Sequence, residues 1–254
     1  MYQAPARPLA PLMGCSTRAV PRMHKLLARW APGLESPGVA MADTAPPLVS
    51  TGSFYRARIA SLLAIAPLGI WTALHLWDNL SAFAGAQAWE QAVTGARHPL
   101  HQLLLAVVVL LPLLLHTVWG IARLASFRPN NVRYGNYDNL KYLLQRLSAI
   151  GLLGFIGAHL WLAWARPRFV EGRPEPFADI SREMAHHTPT LVVYILGVLA
   201  VSYHLANGLQ AFAMGQGLVA SAGALRRLEW VVYLTFAILL AMGWGGVFAL
   251  WRAG

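Results

Sequence analysis

The chain has 254 residues, of which 57% are hydrophobic and only 12% charged, with ten Trp. Soluble domains carry about a quarter charged residues, so the composition excludes an ordinary water-soluble globule and indicates a membrane protein. The net charge of +10 sits between apolar runs rather than on one face, which fits topological signals and anionic-lipid contacts and excludes nucleic acid as the expected partner.

The first segment, residues 1–52, is rich in Pro and Arg and has no long apolar stretch. It lacks the h-region of a secretory signal, and nothing hydrophobic precedes the lipobox-like "LMGC" at 12–15. Residues 1–40 are expected to be disordered, or a start extension upstream of a natural initiator at Met41. Residues 53–254 then form the membrane domain.

A bilayer core about 30 Å thick needs roughly 20 apolar residues in a helix. Five windows qualify, at about 59–83, 101–124, 143–165, 189–213 and 229–251, separated by charges and breakers such as "ARHP", "RPNN" and "RPRFVEGRPEP". No window alternates with period two, so a membrane barrel is not supported. The expected fold is an all-α integral membrane protein with five transmembrane helices. Arg56 and Arg58 precede the first span. Arg123, Arg128, Arg133 and Lys141 fill the second connection, and Arg226 and Arg227 the fourth. Positive charge on this side places the N-terminus in the cytoplasm. The third connection also has four Arg, but four acidic residues accompany them.

Each of the first four spans carries one deep histidine: His75, His116, His159 and His204. Each lies about fifteen or sixteen residues into its span, roughly 22–24 Å from the entry point. Successive helices enter from opposite faces. His75 and His159 therefore share a level near the outer face, and His116 and His204 share one near the cytoplasm, about 15 Å away. A lone intramembrane histidine can simply hydrogen-bond a neighbouring helix. Four of them, one per helix and matched in depth, instead suit two six-coordinate b haems, each iron held by two neutral imidazoles. The first four helices would form the haem-binding bundle. No CxxCH motif is present, so the haems would lack thioether links. Gly120 and Gly208 each follow their histidine by one turn, and Gly151, Gly154 and Gly157 precede His159, where a flat macrocycle needs room.

With those residues in place, the segments "YRARIASLLAIAPLGIWTALHLWDN", "LLPLLLHTVWGI", "YGNYDNLKYLLQRLSAIGLLGFIGAHLW" and "VSYHLANGLQAF" resemble the single-chain, five-helix, di-haem cytochrome b subunit of succinate:quinone oxidoreductases. The resemblance runs from about Ser53 to Trp251. It implies an outer haem on His75 and His159 and a cytoplasmic-side haem on His116 and His204, the pairs that depth matches. It also implies a flavoprotein and an iron–sulfur subunit docked on the cytoplasmic face, and a quinone, menaquinone or ubiquinone, in the cytoplasmic membrane. This chain would then be the non-flavin membrane subunit of the enzyme, with no dehydrogenase site of its own. Its one cysteine, Cys15, cannot hold a cluster.

Haem propionates need cationic or hydrogen-bonding partners near the surface. Arg56, Arg58, Gln145 and Arg146 are candidates at the cytoplasmic helix ends, and His101 at the outer one. Quinone candidates are Trp77, Asp78, Asn79, Glu90 and His101 near the outer haem, and Ser53 with Arg56 on the other side. Fumarate reductases of the family have a glutamate just before the fourth-helix histidine. Here "VSYH" has Ser202, which favours succinate oxidation. Two other readings stay open: a cytochrome b of a hydrogenase, formate dehydrogenase or nitrate reductase, and a haem-free transporter with histidine proton relays.

Overall fold

The computed structural model describes residues 51–95, 99–125, 128 and 135–254. The expectations for residues 1–50 lie outside these; Thr51 already opens the first helix. Among the described residues every regular element is helical. Five helices are long and apolar enough to cross a membrane: α1 (Tyr55–Ala84), α2 (Leu103–Leu124), α3 (Tyr137–Phe169), α5 (Thr188–Gly215) and α6 (Ala222–Ala253). The short α4 (Phe177–His186) links α3 to α5. The protein is a multi-pass membrane protein, because in hydrocarbon only a helix satisfies its own backbone polar groups within one segment.

The helices extend past their apolar windows where local chemistry holds the first turn. α3 starts at Tyr137 because Asn136 Oδ1 accepts a 2.9 Å hydrogen bond from the Asn139 amide. Lys141, one turn on, pairs with Asp138 at 3.0 Å and Glu229 of α6 at 3.4 Å. Ser221 caps α6 in the same way, through the Ala224 amide at 3.2 Å. Hydropathy therefore reads how much of a helix lies in lipid, while capping sets where it begins.

Proline shapes three of the spans. Pro67 lies inside a widened turn, Ala64–Gly69, and the widened turns Ala106–Leu110 and Leu160–Ala165 lie just before Pro112 and Pro167. A proline lacks its amide and pushes away the carbonyl one turn back, and a local i→i+5 turn absorbs the misfit. His75, His116 and His159 all lie within about ten residues of such a turn, so these turns set the rotation of the histidine-bearing faces.

Small residues bring the helices together. A side chain at Gly243 of α6 would run into Val198 of α5, and one at Gly197 of α5 into the Phe155 ring of α3. Gly197→Leu is expected to destabilise the protein by about 1–3 kcal/mol through overpacking, and to push Phe155 off the His159 ring it stacks on at 5.7 Å. Thermal unfolding in detergent measures the first effect.

The most continuous core lies at the end of the bundle that carries α4. Phe177, Ile180, Ser181 and Met184 form its buried face at helical spacing. They meet Trp89 after α1, Val198 of α5, and Val247, Ala249 and Leu250 of α6. Glu90 Oε1 accepts from the Phe177 amide at 3.0 Å, placing a carboxylate at the N-terminus of α4.

Candidate functional site

The four histidines that interrupt the apolar spans meet in two pairs across helix boundaries. His75 of α1 and His159 of α3 have ring centres 6.0 Å apart with planes at 63°. His116 of α2 and His204 of α5 are 6.1 Å apart at 78°. The structure thus brings together the partners that depth matches, the first pair toward the α4 end and the second toward the opposite end. All four rings are half-buried.

The surroundings differ. Trp71 stacks on His75 at 4.8 Å, and Phe155 stacks on His159. Tyr194 of α5 meets both Phe155 and His159 edge-on. The first pair therefore sits in an aromatic pocket. The second has polar neighbours: Ser148 Oγ lies 3.2 Å and Gln145 Nε2 3.3 Å from His204 Nδ1.

This separation would suit one imidazole from each helix holding a shared metal. Two imidazoles, each about 2 Å from one metal through a nitrogen, have ring centres about 6 Å apart. Among the described residues no group of three or more His, Cys, Asp or Glu converges, so a metal between either pair takes its remaining positions from something else. A porphyrin supplies four nitrogens in one plane. A Cβ at Gly120, one turn from His116, would have no neighbour within 4 Å, and one at Gly208 only Gln145 Nε2 at 3.9 Å, which leaves room for a flat group. Near the second pair the Arg146 Nε is buried with no hydrogen-bond partner among the described residues, while its guanidinium lies 5.2 Å over the Tyr142 ring. A buried cationic donor of this kind suits a carboxylate such as a haem propionate.

The other predicted propionate contacts are placed differently. Arg58 caps the C-terminus of α5, donating to Gly215 O at 3.2 Å and Gln216 O at 2.8 Å. Gln145 reaches across to α5, where its Nε2 donates to the His204 carbonyl at 3.2 Å and its Oε1 accepts from Asn207 at 2.9 Å. Arg56 is exposed. The side chains of Ser53 and His101 lie outside the described part of the structure.

The quinone candidates gather at the α4 end. Trp77 is exposed beside half-buried Asp78. Asn79 donates to the His75 carbonyl at 2.8 Å and accepts from Trp89 Nε1 at 3.2 Å, tying the His75 turn to the α4 core. Glu90 serves as the α4 cap described above. Glu90→Ala is expected to cost about 1 kcal/mol of stability. Glu90→Gln, which keeps an acceptor oxygen, is expected to preserve both fold and quinone reduction. Thermal unfolding and a quinone-reduction assay on the two variants check this.

Sequence reading missed Ser148, Asn207 and Tyr194. Asn207 is one turn from His204, on the same face, which is a legible signal. Ser148 and Tyr194 carry none on their own, because hydroxyls in apolar helices commonly bond their own backbone.

Five spanning helices with two interhelical imidazole pairs define a multi-pass membrane protein with a histidine pair at each of two levels. Residues 127–242 match the family described as the succinate dehydrogenase/fumarate reductase transmembrane subunit. The chain is also 30% identical over 197 residues to the succinate dehydrogenase cytochrome b558 subunit of Bacillus subtilis (strain 168), covering 77% of this chain and 96% of that protein. No solved structure matches. The chain belongs to the succinate dehydrogenase/fumarate reductase transmembrane subunit family.

Proposed function

We propose that this chain is the membrane anchor and electron-transfer subunit of a succinate dehydrogenase, holding two b haems and passing electrons between an iron–sulfur subunit and membrane quinone. The observation that carries this reading is the two interhelical imidazole pairs, with ring centres 6.0 Å and 6.1 Å apart. His75 and His159 hold the haem toward the α4 end, and His116 and His204 the haem toward the opposite end. Haem, when bound, supplies a one-electron carrier at each level; this chain supplies ligation, burial and hydrogen bonding.

The end opposite α4 carries Arg56, Arg58, Arg123, Arg226 and Arg227 and is the cytoplasmic one. The protein lies in the cytoplasmic membrane, with the flavoprotein and iron–sulfur subunits docked on that end. Arg146 holds a propionate of the haem nearer to them, through the buried Nε that has no partner among the described residues. At the outer end the exposed indole of Trp77 and the Asp78 carboxylate, two and three residues after His75, form the quinone site. Position 202 favours succinate oxidation: Ser202 is fully buried, and its hydroxyl provides no titratable proton carrier there.

Membranes containing the complete complex test the proposal. Succinate is expected to reduce the b-haem absorption and then an added quinone, and the chain is expected to co-purify with a flavoprotein and an iron–sulfur subunit. A chain that co-purifies with a molybdenum or nickel enzyme, and whose haem is not reduced by succinate, would contradict it.

A further inference from the structure

The polar groups around the two histidine pairs are arranged reciprocally between α3 and α5. His204 of α5 has its Nδ1 3.2 Å from the Ser148 hydroxyl of α3. His159 of α3 has its Nδ1 3.1 Å from the Tyr194 hydroxyl of α5. Ser148 lies eleven residues before His159, and Tyr194 ten before His204. Each interval is about 15–17 Å of helix. In two antiparallel helices this spacing lets each present a hydroxyl at one haem level and an imidazole at the other.

The direction assigned to the Ser148 contact rests on its other bonds. The serine proton goes to the Gln145 carbonyl at 3.0 Å, and Gln145 Nε2, although 3.3 Å from the same ring nitrogen, has the His204 carbonyl as acceptor at 3.2 Å; we assign Oγ as the acceptor from His204 Nδ1–H. Asn207 donates to Gln145 Oε1 at 2.9 Å, which turns the amide nitrogen toward the His204 carbonyl. The His204 side chain and its backbone carbonyl are thus both held by α3. A histidine that donates from Nδ1 presents Nε2 to a metal and becomes a more basic ligand, favouring the oxidised metal.

We propose that Ser148 and Tyr194 are positioning residues: each holds the Nδ1 of the other helix's ligand, fixes that ring's tautomer and rotation, and sets the reduction potential of one haem independently of the other. The proposal rests on reading the four histidines as haem ligands.

Redox titration of the purified complex, followed at the b-haem absorption and by the low-spin ferric resonances, tests it in Ser148→Ala, Ser148→Thr and Tyr194→Phe. Variants lacking one ligand histidine assign each titration step to its haem. Ser148→Ala is expected to make the cytoplasmic-side haem easier to reduce, by roughly tenfold in the reduction equilibrium, about 59 mV for one electron. Ser148→Thr, which keeps the hydroxyl, is expected to restore the wild-type value. Tyr194→Phe is expected to move only the other haem. Unchanged potentials in both variants, or equal movement of both haems in each, would overturn the proposal. Fewer than two haems in the wild-type complex would instead overturn the ligand assignment beneath it.

Discussion

Replacement of His116 or His204 by alanine is expected to leave one b haem per chain and to lower succinate-driven quinone reduction at least about a hundredfold. The two ring centres lie 6.1 Å apart between α2 and α5, and no third His, Cys, Asp or Glu joins them among the described residues. The remaining histidine cannot hold the group axially from both sides. On the proposed orientation this pair is the one nearer to the iron–sulfur subunit, and its loss is expected to break the electron path there. A pyridine haemochrome count with the quinone-reduction assay measures both effects, and the other haem's titration step is expected to persist.

The second large effect is at the outer pair. Replacing His75 or His159 by alanine is expected to remove the other titration step and to lower quinone reduction by a similar factor, while succinate still reduces the cytoplasmic-side haem. The electron is then stranded one step short of the quinone. The aromatic shell of Trp71, Phe155 and Tyr194 gives these variants a further readout, since Phe155 and Tyr194 both contact the His159 ring. The tyrosine near-ultraviolet signal is expected to change in His159→Ala, and the tryptophan signal of Trp71, which stacks on His75, in His75→Ala. If His75→Ala erased the cytoplasmic-side signal instead, the pairing would be wrong.

Much of this architecture is legible in the chain, and the reasons are physical. A spanning helix must be long and apolar, so its position shows in composition alone. One polar residue per helix at a matched depth leaves few partners, so counting residues pairs His75 with His159 and His116 with His204. Helix rotation is less legible: lipid surrounds the bundle, and lipid-facing and helix-facing positions are both apolar. That is why Gln145, a polar residue near a helix end, reads as a propionate contact although it reaches across to Asn207 and the His204 carbonyl. It is also why Ser148 and Tyr194 give no sign of the contacts they make. The α4 segment escapes a search for long apolar windows because it is short and amphipathic. The spacing of Phe177, Ile180 and Met184 shows its buried face only once the helix is granted. Glu90 reads as an acid near the membrane surface, whereas its contact with the Phe177 amide lies 87 positions away in the chain.

The measurement that bears most directly on the central claim is a dithionite-reduced minus oxidised spectrum of the chain purified in detergent from its native membrane, with a pyridine haemochrome count. Two b haems per chain is the expected result, one for each imidazole pair. A wild-type chain carrying no haem would contradict the account and leave four half-buried histidines to be explained by proton transfer or helix packing.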